Sequence, residues 1–195
     1  MSTMIDIRRL QTVNKLAREG ATTVADNLSQ LTGVDTEMQI TKINVLDVED
    51  LAEHLGAEKQ VGVNVPLLEE PYGSVLVLFD DRSARRVAST MMGGVDSDGG
   101  AYSDMERSAI KEVGNIMTSG FIDGWANVLG RTIDISTPNL FRAAGDDIVA
   151  HCVEPNDHEI AMVFDATLHA PDADVEAKIY SFPDVEEFVS MINDI

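Results

Sequence analysis

The sequence predicts an α/β (α+β) fold in which two similar halves, each one long helix and three strands, share a single sheet. Two helix-length segments carry apolar residues at spacings of three and four, and a shift of 97 positions aligns them. Three extended segments and a short helical pattern follow each helix. The 195-residue chain is 44% hydrophobic, which is enough for a core. We therefore expect one domain over residues 1–195, with repeated halves at about 1–96 and 104–195 and both long helices on one face of the sheet.

The first half begins with a helix predicted over residues 8–33. Gly33 suits the C-terminus of this helix, whose apolar face comprises Leu10, Val13, Leu16, Val24, Leu28 and Leu31. Extended segments follow, with one possible short helix between them and another short helix at the end. In order, they read MQITKINVLDV, VEDLAEHLG (the possible helix), VGVNVPLLEE, YGSVLVLFDD and SARRVASTMMGG (the final helix).

The second half repeats this order. Its helix contains Gly114, Gly120 and Gly124, and each costs about 1 kcal/mol relative to Ala in a helix interior. We therefore expect these glycines where another helix or a strand packs closely. The later segments read RTIDISTPNLFRA, EIAMVFDATLHA, VEAKIYSFPD and VEEFVSMI. A stretch rich in Gly, Ser and Asp over residues 93–104 is interpreted as the exposed junction between the halves.

The composition is strongly acidic, with 34 Asp and Glu against 14 Lys and Arg and a net charge of −20. A field of this sign repels phosphates, which argues against nucleic acid as a partner. The acidic residues are spread along the chain and lysines are few. That distribution is typical of a protein that folds at high salt, where self-repulsion is screened. We therefore expect a halophilic archaeal source.

The chain shows no sign of a membrane or secretory segment. No run of eighteen apolar residues is present, so we expect no membrane-spanning helix. The N-terminal residues MSTMIDIRRL lack the charged-then-apolar order of a signal peptide, which favours a cytoplasmic location. Cys152 is the single cysteine, so an internal disulfide and a thiolate metal cluster are both excluded.

The most specific pattern lies in the second long helix and the residues after it. Ser108 is followed after three residues by Glu112, after two more by Asn115, and after a further twenty-two by Pro138. Positions i, i+4 and i+7 share one stripe of an α-helix, so the hydroxyl, carboxylate and carboxamide point the same way. The pattern therefore predicts an exposed polar ridge on a helix whose other face is buried through Ile110, Val113, Met117, Phe121, Trp125 and Val128.

This spacing resembles the active-site signature of the CheC, CheX and FliY family of chemotaxis phosphatases. That signature is Asp or Ser, three residues, Glu, two residues, Asn, about twenty-two residues, Pro, and every defined position matches here. The resemblance implies a pseudo-two-fold α/β protein that hydrolyses the aspartyl phosphate of a CheY-type response regulator. It implies that Asn115 orients the attacking water and that Glu112 pairs with the lysine beside the regulator's phosphate. Ser108 and Pro138 would shape and support the site.

The resemblance also implies which cofactors and partners to expect. The chain itself would bind no cofactor or metal, and the divalent cation, Mg²⁺, would be held by the response regulator. The expected partners are the phosphorylated CheY-type regulator and a CheD deamidase, with no nucleic acid and no membrane. An alternative of another class stays open, in which the chain is a non-enzymatic adaptor or switch module that binds CheD, the phosphorylated regulator or both.

The repeat predicts one active site in the chain. The first-half positions that align with the signature are Gln11, Lys15, Arg18 and Thr41. Because neither a carboxylate nor a carboxamide is kept on the Glu and Asn positions of that stripe, we expect a degenerate first site with a structural or docking role. The first helix is the most basic patch of the chain, because it carries Lys15 and Arg18 together with Arg8 and Arg9. Solvated charges and a docking surface for an acidic partner are both compatible with it.

Other catalytic motifs are absent from the sequence. The glycine-rich stretch GGVDSDGG lacks the terminal Gly-Lys-Ser/Thr of a phosphate-binding loop. The four histidines do not have the HExxH spacing of zinc proteases, and no GxSxG nucleophile motif is present.

Overall fold

Six helices and six strands make up the part of the chain that the computed structural model describes, residues 7–95, 99–153, 160–171 and 174–194. The side chains of Arg8 and Arg9 and the middle of the expected junction, residues 96–98, lie outside the described residues. The helices are α1 (Ile7–Thr32), α2 (Val48–Leu55), α3 (Asp81–Met91), α4 (Asp104–Leu129), α5 (Gly145–Cys152) and α6 (Val185–Asn193). The strands are β1 (Glu37–Asp47), β2 (Gln60–Pro66), β3 (Ser74–Phe79), β4 (Asn139–Ala143), β5 (Ile160–His169) and β6 (Val175–Phe182).

The six strands form one antiparallel sheet in the order β1-β5-β6-β3-β2-β4. Each half of the chain follows the same order of elements, namely helix, strand, helix, strand, strand, helix. The counterparts in the two halves are β1 and β4, β2 and β5, and β3 and β6. If each strand is exchanged with its counterpart, the sheet order is the same read in the opposite direction. The pseudo-two-fold relation therefore passes between β3 and β6, where Val77 lies opposite Ile179. The predicted fold class is confirmed.

The two long helices correspond to each other residue by residue. Helices α1 and α4 both have 26 residues, and their first residues, 7 and 104, and last residues, 32 and 129, each differ by 97. Each is followed by a glycine in the left-handed region, Gly33 at φ 68° and Gly130 at φ 64°. Because a residue with a side chain is strained at such φ values, glycine fits the position that ends the helix.

Helices cover both faces of the sheet. Helices α1, α3, α4 and α6 lie on one face, where alternate strand residues such as Val63, Val77 and Ile179 join their apolar side chains in one core cluster. Helices α2 and α5 cover the other face with a second cluster that includes Leu76, Val163 and Tyr180. Successive side chains of a strand point to opposite faces of the sheet, so neighbouring residues belong to different core clusters.

The structure differs from the sequence predictions, or adds to them, at three places. Helix α5 was not predicted, although it is the counterpart of α2 and buries Ile148 and Cys152. The stretch RTIDISTPNLFRA is not one continuous strand, because only Asn139–Ala143 belongs to β4. Leu10 and Leu31, expected on the buried face of the first helix, are 52% and 48% exposed because they lie at the ends of α1, where the packing on α4 runs out.

Candidate functional site

Helix α4 is fixed on the sheet and against α1 through its glycines. A Cβ on Gly114 would come within 2.5 Å of Val63 in β2, so the helix rests directly on that strand. A Cβ on Gly120 would lie 2.9 Å from the Cα of Val24, and one on Gly124 would collide with the backbone of Gly20. The close approach expected at these three glycines is confirmed, and it sets the rotation of α4 about its axis.

This rotation turns the signature stripe away from α1. Successive residues of an α-helix are rotated by about 100°. With Gly114 facing the sheet and Gly124 facing α1, the side chain of Asn115 projects to the opposite flank of α4. Ser108 and Glu112 share that flank and are exposed, whereas Asn115 is half-buried. The exposed polar ridge that the sequence predicts is therefore present on α4.

The ridge is free to meet another molecule. Within the described part of the chain, neither the Glu112 carboxylate nor the Asn115 carboxamide has a hydrogen-bond or ion-pair partner. Asn115 nevertheless emerges from a packed surface, since its neighbours Gly114 and Met117 are buried. A carboxamide that is half-buried and unpaired keeps one acceptor and two donor positions available.

Pro138 lies on the same flank of α4 as Asn115. The sheet order runs from β1, which packs against α1, to β4 at the far edge, so the flank of α4 turned away from α1 faces β4. Val63, which touches Gly114, pairs with Leu140, two residues beyond Pro138. The structure thus brings the proline to the side of the helix that carries the ridge.

A β-bulge explains the type of residue at position 138. Ile135 lies opposite Leu67, and Asn139 lies opposite Asn64. The segment before β4 therefore advances by four residues where the paired segment of β2 advances by three. The extra residue falls between Ser136 and Asn139, where Thr137 and Pro138 have no ladder partners among the described residues. Proline has no N–H for a ladder and is accepted at edge-strand bulges.

The start of α4 is anchored by a network of polar side chains that was not predicted. Ser103 and Glu106 form a reciprocal capping box, with the Ser103 N–H donating to Glu106 at 2.7 Å. Arg85 of α3 approaches the Glu106 carboxylate at 3.9 Å and lies over the ring of Tyr102. The Tyr102 hydroxyl donates to Asp81 at 2.8 Å. The network holds the helix end that precedes Ser108.

The charges around Asp81 lower the pKa of its carboxyl group. Burial alone would raise this pKa, but hydrogen bonds from Tyr102 and Arg85 and the charges of Arg85 and Arg142 outweigh it. Burial and the bond to Asp81 raise the pKa of the Tyr102 hydroxyl. The sequence signal that could have found the anchor is the pattern Ser103-x-x-Glu106 before an apolar run. No local sequence pattern indicates Arg85, the residue of α3 that approaches Glu106.

The first half carries the degenerate positions at the corresponding places. Gln11, Lys15 and Arg18 are exposed on α1, and the 97-residue relation between the helices puts them where α4 has Ser108, Glu112 and Asn115. Thr41 lies at the bulge of β1, where the register shifts between Ile40 and Lys42. Its hydroxyl donates to the Asp165 carbonyl at 3.2 Å. The bulge is thus common to both edge strands, and the proline occurs in the second half alone.

Potential metal ligands and the single cysteine are located outside the ridge. Among the described residues, no group of three His, Cys, Asp or Glu side chains is placed to hold a metal ion. Burial raises the pKa of the Cys152 thiol to about 12, so this side chain is a protonated, covered group. Burial likewise lowers the pKa of His54, with the charge of Lys178 adding to the effect.

Comparison with known proteins identifies the family. A sequence model of the CheC-like family matches residues 105–142, which span the whole ridge and Pro138. A protein of Halobacterium salinarum, named as a proposed CheY-P phosphatase, CheC1, is 83% identical over 195 residues, which is 100% of both chains. The chain belongs to the CheC-like family. The organism of this relative is a halophilic archaeon, in agreement with the source that the acidic composition predicts.

Solved structures share the fold of this CheC-like protein. The crystal structure of Thermotoga maritima FliY has a TM-score of 0.80 at 18% identity and covers 98% of this chain and 97% of its own. The FliM middle domain from Vibrio alginolyticus has a TM-score of 0.68 at 15% identity, with coverages of 92% and 99%. Within the described ranges, no helix has the length and apolar character needed to cross a lipid bilayer.

Proposed function

We propose that this CheC-like protein is a chemotaxis phosphatase that accelerates hydrolysis of the aspartyl phosphate on a CheY-type response regulator. The proposal depends mainly on Glu112 and Asn115, which lie together on the open flank of α4 and have no hydrogen-bond or ion-pair partner among the described residues. The family membership and the name of the Halobacterium salinarum relative support the substrate class.

Asn115 supplies the chemistry by placing a water molecule in line with the phosphorus–oxygen bond. The water oxygen forms a bond to phosphorus, and the bond between phosphorus and the aspartyl oxygen breaks. Aspartate leaves as a carboxylate, and both water protons end on inorganic phosphate. The Asn115 carboxamide accepts from the water and donates to a phosphoryl oxygen without adding charge. Positioning of this kind is the main contribution that a protein can make to phosphoryl transfer.

Glu112, about one helical turn before Asn115 in α4, binds the regulator. Its carboxylate pairs with the lysine that lies beside the phosphate on the regulator, a charge-assisted hydrogen bond. A carboxylate is a poor direct neighbour for a phosphoryl group because both are anionic. Ser108 and Pro138 shape the flank on either side of the pair, and the regulator brings its own Mg²⁺.

The rate of dephosphorylation as a function of regulator concentration tests the two roles separately. In molar KCl, Asn115→Ala is expected to lower the maximal rate about a hundredfold with little change in the concentration for half-maximal rate. Glu112→Ala is expected to raise that concentration about tenfold or more, because it removes a docking charge. Asn115→Asp should be as slow as Asn115→Ala, since it adds a negative charge beside the phosphate.

Wild-type rates in both variants would overturn the catalytic assignment. A native chain that binds the phosphorylated regulator or CheD without accelerating phosphate release would instead support the adaptor function.

A further inference from the structure

We propose that a groove between α1, α3 and the β5–β6 hairpin binds an acidic segment of a partner protein that inserts a large apolar side chain. The groove has a volume of about 950 Å³ and lies on the flank of α4 opposite to Asn115, where Val113 forms part of its wall. Its apolar lining also includes Leu28, Val87, Met91 and Leu168. Cavities of this size are typical of binding sites.

The pseudo-two-fold relation identifies which residues of the second half correspond to those at and near the groove. Residues Asp80 and Asp184 occupy equivalent N-caps of α3 and α6, because each accepts from the N–H three residues later. Equivalent positions in these helices therefore differ by 104, and those in α1 and α4 differ by 97. Leu28 corresponds to Trp125, and Ala84 corresponds to Phe188.

Two aromatic rings fill the equivalent place in the second half. The ring centroids of Trp125 and Phe188 are 5.5 Å apart, and both side chains are buried. Leu28 and Ala84 put much smaller side chains at the matching positions of the first half. Leu28 lines the groove, so at this position the first half lacks the bulk of Trp125, and an incoming aromatic or large aliphatic side chain can pack against the apolar lining.

The net charge of the groove lining is positive, opposite in sign to the net charge of the molecule. Among the described lining residues the charged ones are Asp81 and three arginines of α3, Arg82, Arg85 and Arg86. The corresponding residues of α6 are Glu186, Val189 and Ser190, so the cations belong to the first half alone. Three of the fourteen basic residues therefore gather at one site in a chain of net charge −20.

The arginines differ in how far they are already engaged. Arg85 is bound to Asp81 at 3.0 Å and to the Gly100 carbonyl at 2.6 Å, so it supports the fold. Arg86 donates to one main-chain carbonyl, that of Asp174, at 2.9 Å. Arg82 is exposed and has no partner among the described residues. Arg82 and the outer part of Arg86 are therefore available for carboxylates of a bound segment.

A partner segment with acidic residues around an apolar anchor matches both the cationic rim and the apolar floor. This resembles the general mode in which an amphipathic helix lies in a hydrophobic groove.

Binding of a designed peptide tests the proposal without relying on hydrolysis. The probe is a fluorescein-labelled amphipathic peptide with Leu and Trp on one helical face and Glu elsewhere, and a second peptide carries Lys in place of Glu. Fluorescence anisotropy is measured in KCl with the full chain. We expect the Glu peptide to bind and Arg82→Glu to weaken it about tenfold. Lys59→Glu, an exposed charge reversal outside the groove, should leave the affinity unchanged.

A groove-filling variant gives the second arm of the test. Leu28→Trp introduces the residue that the second half has at this position and should abolish peptide binding while the chain still melts cooperatively. If Leu28→Trp does not fold, the Arg82→Glu comparison still decides. Equal affinity for both peptides, affinity unchanged by the groove variants, or self-association that Leu28→Trp removes would each overturn the proposal.

Discussion

Asn115 is the side chain on which the proposed chemistry depends, and its surroundings suit that role. It is half-buried, so the packed residues around it restrict its motion, yet its carboxamide has no partner among the described residues. Glu112 lies on the same flank and is exposed, as a docking group for another protein must be. The two residues therefore differ in burial in the way that their proposed roles require.

Cys152 provides a test at a single residue, because burial raises the pKa of its thiol to about 12. A thiol with a raised pKa is protonated at every pH below that value, so it forms almost no thiolate at pH 8. We expect a thiol reagent to react with the folded chain only as fast as the chain opens. The measurement is the reaction rate with and without denaturant. Fast reaction of the folded chain would contradict the burial.

At the scale of elements, the contact between α1 and α4 sets the orientation of the ridge. Gly124 lies against the backbone of Gly20, and Gly120 lies against Val24, so the helices approach more closely than side chains would permit. The capping network of Ser103, Glu106 and Arg85 fixes the other end of α4. The glycine contacts thus set the rotation of α4 about its axis, and the capping network fixes its N-terminal end.

Gly124→Ala tests this contact through the free energy of unfolding. In an open helix the change would stabilise by about 1 kcal/mol. Here the added methyl group meets the α1 backbone, so we expect a net loss of about 1–3 kcal/mol. Asp123→Ala, at an exposed neighbouring position, is the control and should change the free energy by less than about 0.5 kcal/mol. Stabilisation by Gly124→Ala would show that the helices are not in close contact.

At the scale of the whole molecule, two halves with one architecture have different surfaces. The second half has the Glu112 and Asn115 pair on the open flank of α4 and a buried aromatic pair, Trp125 and Phe188, between α4 and α6. The first half has Lys15 and Arg18 at the matching ridge positions, and Leu28, which lines the open groove, at the position that matches Trp125. The two halves thus share one order of helices and strands, while the side chains at matching positions differ.

The net charge of −20 predicts how the whole molecule responds to salt. Repulsion among carboxylates opposes the compact state, and at molar salt the Debye length falls to about 3 Å. We therefore expect the melting temperature to rise steadily from dilute buffer to multimolar KCl. A melting temperature that does not change across this range would contradict the interpretation of the composition.

The sequence was sufficient for features with a local period and insufficient for those that depend on distant partners. The helix pair, its packing glycines and the polar ridge follow from spacings within one segment. The interaction of Arg85 with Glu106 joins two elements and has no local pattern. Helix α5 is only eight residues long and begins with glycine, and the bulge before β4 depends on pairing with β2. The groove is lined by residues from α1, α3, α4, β5 and β6, so no single segment of the sequence indicates it.

Catalysis by Asn115 is tested most directly by comparing equivalent positions in the two halves. Dephosphorylation of the phosphorylated CheY-type regulator is measured in molar KCl with the native chain, Asn115→Ala and Arg18→Ala. We expect Asn115→Ala to lose about a hundredfold in rate and Arg18→Ala, at the matching position of α1, to retain the native rate. Equal rates for Asn115→Ala and the native chain, or an equal loss in both variants, would contradict it.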